Sequence, residues 1–163
     1  MDFRKQQIKT SVVACIIDEQ GRTLLTRRCI EPFCSQWVMP GGKIDHGEAI
    51  LSALHREVVE EVGLEVSVEE LIDVYEHIDI GSNGDHYVIL YYRCRLTGGE
   101  LKPNGSECTE ARWVTEEELP TMALPPGCRY ILGQVFPHLP WGKLSAAIDV
   151  AGEVPDQLQM PRS

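Results

Sequence analysis

The sequence lacks any run of the ~20 apolar residues that a membrane-spanning helix needs, and its opening residues, Met1 to Gln7, carry no apolar core of the kind a secretion signal has. A cytoplasmic location and no membrane partner are expected on that reading. Cys-x-x-Cys pairs are lacking too. The six cysteines (Cys15, Cys29, Cys34, Cys94, Cys108, Cys128) are scattered, several inside apolar runs where a free thiol packs as a small hydrophobe, which argues against a zinc finger and against a disulfide framework. Basic residues are in short supply, with 15 Lys and Arg against 25 Asp and Glu and a formal net charge of −10, so a nucleic-acid polymer is not the expected partner. An acidic chain still binds a small phosphorylated ligand when a cation stands between the two sets of negative charge.

What is present suits one compact domain: 163 residues, 43% hydrophobic, without internal repeats or low-complexity tracts. Ser11 to Ile17 is a continuous apolar run closed by the turn-like Asp18-Glu19-Gln20-Gly21, and Arg22 to Arg28 reads as its hairpin partner. After a loop carrying Pro32, Trp37 to Ile44 reads as a strand broken at Pro40-Gly41-Gly42. A helix from Ala49 to Val62 follows, with Asp45 and Glu48 spaced as a capping box and Gly63 placed for a left-handed cap. Glu65 to Ile80 and His86 to Leu96 read as longer strands joined by a turn at 81–85, and Ala111 to Val114 as a short one. Thr115 suits a helix cap before Glu116 to Leu119, and a last helix is expected over about Gly127 to Val135. The boundary is set at residues 1–140 for the domain. The tail 141–163, with Pro155 and Pro161 and few large apolar residues, is expected to be loosely held or to pack on a second copy as a homodimer.

On a wheel of about 100° per residue, Leu51, Leu54, Val58 and Val62 form the core-facing stripe of the Ala49 to Val62 helix, while Glu57, Glu60 and Glu61 gather on the neighbouring side. Like charges spaced this way destabilise an isolated helix by about 0.2 to 0.5 kcal/mol per pair. A divalent cation reverses that penalty, because Mg²⁺ takes oxygen ligands and is commonly held by one or two carboxylates together with substrate phosphates. The alternative at this point is a solvated acidic face with Arg56 pairing to Glu60.

The surrounding pattern bears on that choice. From Gly42 to Leu64 the chain reads Gly-x5-Glu-x7-Arg-Glu-Val-Val-Glu-Glu-Val-Gly-Leu, which resembles the Nudix box of the Nudix hydrolases at every defining position. Trp37 to Gly41 and Glu107 to Trp113 also resemble that family, and the likeness extends over about residues 10 to 120. The resemblance implies an α/β/α sandwich with a central mixed β-sheet and a loop-helix-loop metal site. It implies further that Glu57 and Glu61 are direct ligands of Mg²⁺, for which Mn²⁺ substitutes. Glu60 would be a ligand or hold a water on the ion, the Gly41 carbonyl would complete part of the shell, and Glu48 and Arg56 would fix the loop to the helix.

The implied reaction is metal-assisted cleavage of the phosphoanhydride bond of a nucleoside diphosphate derivative, either a (d)NTP or an ADP-ribose-like compound, by water. A base must accept the water's proton, and Glu107 is favoured over Glu110 among the later glutamates. Arg27 or Arg28, at a strand end before the box, resembles the arginine that holds substrate phosphate in MutT-type members; neighbouring strand residues face opposite ways, so one of the two is expected to be a solvated strand end. Trp37, Tyr87 and Trp113 are better suited to core or sheet-face roles than to base stacking, and His46, His55, His77, His86 and His138 show no ligand spacing and receive no assignment. Two readings without catalysis stand beside this one: a nucleotide-binding regulatory module of the same fold that has lost activity, and an acidic structural domain that associates through its tail.

Overall fold

The computed structural model describes residues 7–31, 33–79, 84–141 and 147–151. Residues 81–83 of the expected turn at 81–85 and Pro32 of its loop therefore lie outside the described residues, as does most of the tail. Among the described residues, eight strands and two α-helices follow one another as β1 (Lys9–Ile17), β2 (Thr23–Arg28), β3 (Trp37–Val38), β4 (Gly41–Lys43), α1 (Ile50–Val62), β5 (Leu64–Asp79), β6 (Asp85–Gly99), β7 (Cys108–Val114), α2 (Pro126–Val135) and β8 (Ile148–Ala151). The strands form one mixed sheet in the order β3-β2-β1-β6-β5-β8, with β4 added to β1 and β7 to β2.

β1 lies at the centre, and its continuous apolar run reflects cover on both faces. It runs parallel to β6 over its whole length and antiparallel to β4 on its other edge. Val12, Ala14 and Ile16 point into a core with Leu24 of β2 and Ala53, Leu54, Val58 and Val62 of α1. Cys15 points into a second core with Leu25, Tyr75, Tyr91 and Cys128, Ile131 and Leu132 of α2. Helices thus cover both sheet faces, the α/β/α sandwich expected from the sequence. Among the described residues no helix is long and apolar enough to cross a membrane.

Three local expectations need correction. β2 is joined to β1 by the expected turn, where the Asp18 carboxylate accepts from the Gln20 and Arg22 N–H groups, yet it pairs with β1 only at Ile17 and Thr23. Its main partner is β7, from Thr23 opposite Val114 to Arg28 opposite Cys108, because β4 occupies the edge of β1 that a full hairpin would use. Asp45 is not the cap of α1. The helix starts at Ile50 behind Ala49 with no side-chain cap, and the Glu48 carboxylate instead accepts from the Asp45 N–H at 3.1 Å, closing the loop before the helix. Thr115 and Glu118 do exchange the hydrogen bonds of a capping box, but they close a turn leading into a 3₁₀ segment, Leu119–Thr121, rather than an α-helix.

The other end of α1 follows expectation: Gly63 takes φ 75° and its N–H donates to the Val59 carbonyl. Two further carbonyls of that end, normally without partners in a helix, accept from the loop that follows β6, Val62 from Lys102 N–H at 2.8 Å and Glu61 from Asn104 N–H at 2.9 Å. Past α2, the tail returns to the sheet. β8 lies parallel to β5, with His77 opposite Asp149.

Candidate active site

α1 buries Ala53, Leu54, Glu57, Val58, Glu61 and Val62. The spacing i, i+1, i+4, i+5, i+8, i+9 describes one face, rotated toward the acidic side relative to the stripe read from the sequence. Leu51, assigned to the core, is accordingly 43% exposed, whereas Glu57 and Glu61 retain only 8% and 4% of their surface. They meet a third carboxylate from the loop before β7. Oxygens of Glu57, Glu61 and Glu107 all lie within 4.8 Å of one another. Glu107 reaches them because its loop is pinned to the end of α1: the Asn104 carboxamide oxygen accepts from both the Ser106 and Glu107 N–H groups at 3.0 Å. Asn104 carried no sequence signal, since an isolated asparagine in a loop reads as an ordinary turn residue.

Three carboxylates this close disfavour full ionisation. Burial, with the nearby charges of Glu107 and Glu57, pushes Glu61 up to about 7 against the pull of the Gly41 N–H and Arg28. Burial likewise raises Glu57, opposed by its bond to Arg56. The Glu61 carboxylate has fixed partners, since the Gly41 N–H donates to Oε2 at 3.1 Å and the Thr26 hydroxyl lies 3.3 Å from Oε1. A Cβ on Gly42 would land on the Glu57 carboxylate, so only glycine lets the β4 backbone lie against that group. The donor set is all oxygen and more negative than its surroundings balance, which fits a hard divalent cation.

Arg56 organises the loop side. Its Nε and Nη2 grip both oxygens of Glu48 at 2.6 and 2.8 Å, its Nη1 donates to Glu57 at 2.8 Å and Glu60 at 3.2 Å, and its Nη2 also reaches the Lys43 carbonyl at 3.2 Å. The guanidinium, with the Asp45 N–H, holds the Glu48 carboxyl down at about 2. One planar cation thus ties the loop before α1 to the helix and orients Glu57. Glu60 is placed differently from its neighbours: its side chain is 58% exposed, is shared with Arg56, and stands outside the three-carboxylate group.

Beside the carboxylates opens a cavity of about 370 Å³. Glu57, Glu107, Gly41, Gly42 and Arg28 line one part of it; Phe33, Tyr75, His77, Tyr87 and Tyr91 line another. Of the two arginines singled out in the sequence, Arg28 borders the cavity, whereas Arg27 lies on the surface at 3.4 Å from Glu110, its register partner on β7. Glu110 is thereby engaged away from Glu107. Trp37 packs against the α2-side core, with Arg112 over its ring, and Trp113 against the α1-side core, while Tyr87 borders the cavity. His77, unassigned from the sequence, is 6% exposed and borders the cavity, its Nδ1 2.7 Å from Asp149 Oδ2. The Asp149 carboxylate holds the His77 imidazole above its ordinary value, as the hydrogen-bonded pair outweighs burial.

This geometry agrees with what the chain is similar to. A family model described as NUDIX domain matches residues 7–133, and the chain belongs to that family. An ADP-ribose pyrophosphatase of Methanocaldococcus jannaschii is 34% identical over 108 residues, 66% of this chain and 63% of that one. A human 8-oxo-dGDP phosphatase is 34% identical over 113 residues, covering 68% of this chain and 33% of the relative. The chain therefore spans between a third and about two thirds of these relatives' lengths. The crystal structure of a MutT NUDIX hydrolase from Burkholderia pseudomallei superposes with a TM-score of 0.70 at 32% identity, over 80% of this chain and 99% of that one.

Proposed function

We propose that the protein is a Mg²⁺-dependent hydrolase of the phosphoanhydride bond in nucleoside diphosphate derivatives. The observation that carries the reading is the meeting of Glu57, Glu61 and Glu107 at the edge of a cavity that Arg28 also borders. Glu57 and Glu61, with the Gly41 carbonyl, would hold the cation, and Glu60 stands at its outer side in contact with Arg56. A bound divalent cation supplies charge neutralisation on phosphoryl oxygens and a lowered pKa for water.

The chain's own groups do the rest. Arg28 offers a guanidinium for the diphosphate, and Arg27, paired with Glu110, is left to the surface. Glu107 accepts the proton of the attacking water, being held on a loop pinned by Asn104 rather than on the helix that holds the cation. Glu48 and Arg56 keep the loop and Glu57 in place. The aromatic part of the cavity excludes water and takes the nucleoside. Both named relatives are described by ligands that contain a nucleoside diphosphate, which supports this class over unrelated phosphate esters.

The test is a panel of ADP-ribose, 8-oxo-dGDP, (d)NTPs, dinucleoside polyphosphates and nucleotide sugars, with Mg²⁺, Mn²⁺ or EDTA and products resolved by chromatography. Turnover of at least one diphosphate compound that EDTA abolishes is expected. Binding of these compounds without any turnover would replace the enzyme with a nucleotide-binding module.

A further inference from the structure

The aromatic part of the cavity has one carboxylate among its lining residues, that of Asp149, and it comes from β8, outside the motifs singled out in the sequence. Its setting is built. One oxygen faces His77 Nδ1 at 2.7 Å, the Tyr75 phenol donates to the same carboxylate, and the His77 ring is itself flanked by Phe33 at 5.1 Å and Tyr87 at 6.4 Å between ring centres. The Asp149 side chain remains 22% accessible. An ionised carboxylate offers about four lone-pair positions and donates nothing. His77 and Tyr75 engage part of that capacity and fix the orientation, which leaves acceptor positions on the cavity side.

We propose that Asp149 is a specificity-determining residue that selects substrates whose base carries an exocyclic amino group, with His77 and Tyr75 as its positioning residues. The proposal rests on the hydrolase reading above. The physical reason is one of complementarity: the amino group of adenine or guanine donates to an acceptor-only carboxylate, whereas hypoxanthine lacks that group. Losing a hydrogen bond to a charged partner in a confined site is worth about 10- to 100-fold in kcat/KM.

The experiment compares kcat/KM for ATP, GTP and ITP, and for ADP-ribose and its inosine counterpart, in the parent protein, in Asp149→Asn and in His77→Gln. The parent is expected to favour at least one amino-bearing base over hypoxanthine by about tenfold or more. Asp149→Asn, whose amide can donate to the hypoxanthine carbonyl, is expected to bring that ratio within about threefold of unity. His77→Gln keeps the carboxylate and is expected to keep the order of preference.

Equal use of all three bases by the parent overturns the inference whatever the variants do, and leaves the hydrolase reading standing. A preference that survives in Asp149→Asn, or a loss common to every base and to both variants, also overturns it, because a group that merely fastens β8 to β5 affects all substrates alike. Absence of any metal-dependent hydrolysis overturns the hydrolase reading first and this inference with it.

Discussion

Replacing Glu61 with glutamine is expected to make the metal-free protein more stable at alkaline pH while removing most of its activity. Glu61 has an ordinary value of 4.5 and sits at about 7 in the folded chain. The folded state therefore keeps a proton that the unfolded state releases between pH 4.5 and about 7, and across that window stability falls as pH rises. At 1.36 kcal/mol per pKa unit, the ionised group costs the folded protein up to about 3 kcal/mol at pH 8. Glutamine has nearly the same shape and suits the partners: its oxygen can accept from Gly41 N–H, and its amide can donate to Thr26 Oγ1, freeing that hydroxyl to donate to the Val38 carbonyl. In EDTA, thermal unfolding should show parent and Glu61→Gln nearly equal at pH 4.5 and the variant ahead by up to about 6 to 12 °C at pH 8. Mg²⁺ at about a thousand times its Kd should reverse the order, since it then adds about 4.1 kcal/mol to the form that binds it, more than the ionised group costs. Parallel pH profiles in EDTA, or an equal rise in Tm for both proteins on adding Mg²⁺, would refute the reasoning.

Four further outcomes are expected. Arg56→Lys, which cannot grip Glu48 with two nitrogens and reach Glu57 as well, should weaken Mg²⁺ affinity by about 10- to 100-fold, read from activity against metal concentration. Glu107→Gln should lower kcat by about 10²- to 10⁴-fold, whereas Glu110→Gln, at an exposed ion pair, should stay within about twofold; equal effects from the two would remove Glu107 from its role. Gly42→Ala should displace Glu57 and cost about 10²-fold in activity. Gly47→Ala, with φ 83° and nothing near the added methyl, should cost about 1 kcal/mol in denaturant unfolding and leave the rate unchanged.

The acidic half of the candidate site was legible because its spacing is local: Glu57 and Glu61 lie one helical turn apart, and Gly41, which donates to Glu61, and Gly42, which abuts Glu57, lie in β4, the element before that helix. What the sequence misread shows how local patterns compete. Asp45 and Glu48 have the spacing of a helix cap, but Arg56 draws Glu48 into closing the loop instead. Leu51 fits the apolar stripe, yet burying Glu57 and Glu61 turns the helix so that Leu51 faces out. His77 and Asp149 were beyond reach for another reason. They are 72 residues apart, and the parallel pairing of β8 with β5 that joins them has no short-range signature. The tail's composition suggested loose attachment or packing on a second copy; within it, Ile148–Ala151 pairs with the edge of β5, and most of the rest lies outside the described residues.

The central strand β1 gives its alternate side chains to different halves of the interior, and the same nine residues set the register of β4, with Val12 opposite Gly42 and Val13 opposite Gly41. Adding or deleting a single residue within Lys9–Ile17 would therefore exchange the contents of both interiors and slide the two glycines past the acids they accommodate. A strand that contributes none of the three carboxylates acts as the ruler of the acidic cluster, and the neighbouring turn at Asp18 to Gly21 is where a change of length would do least harm.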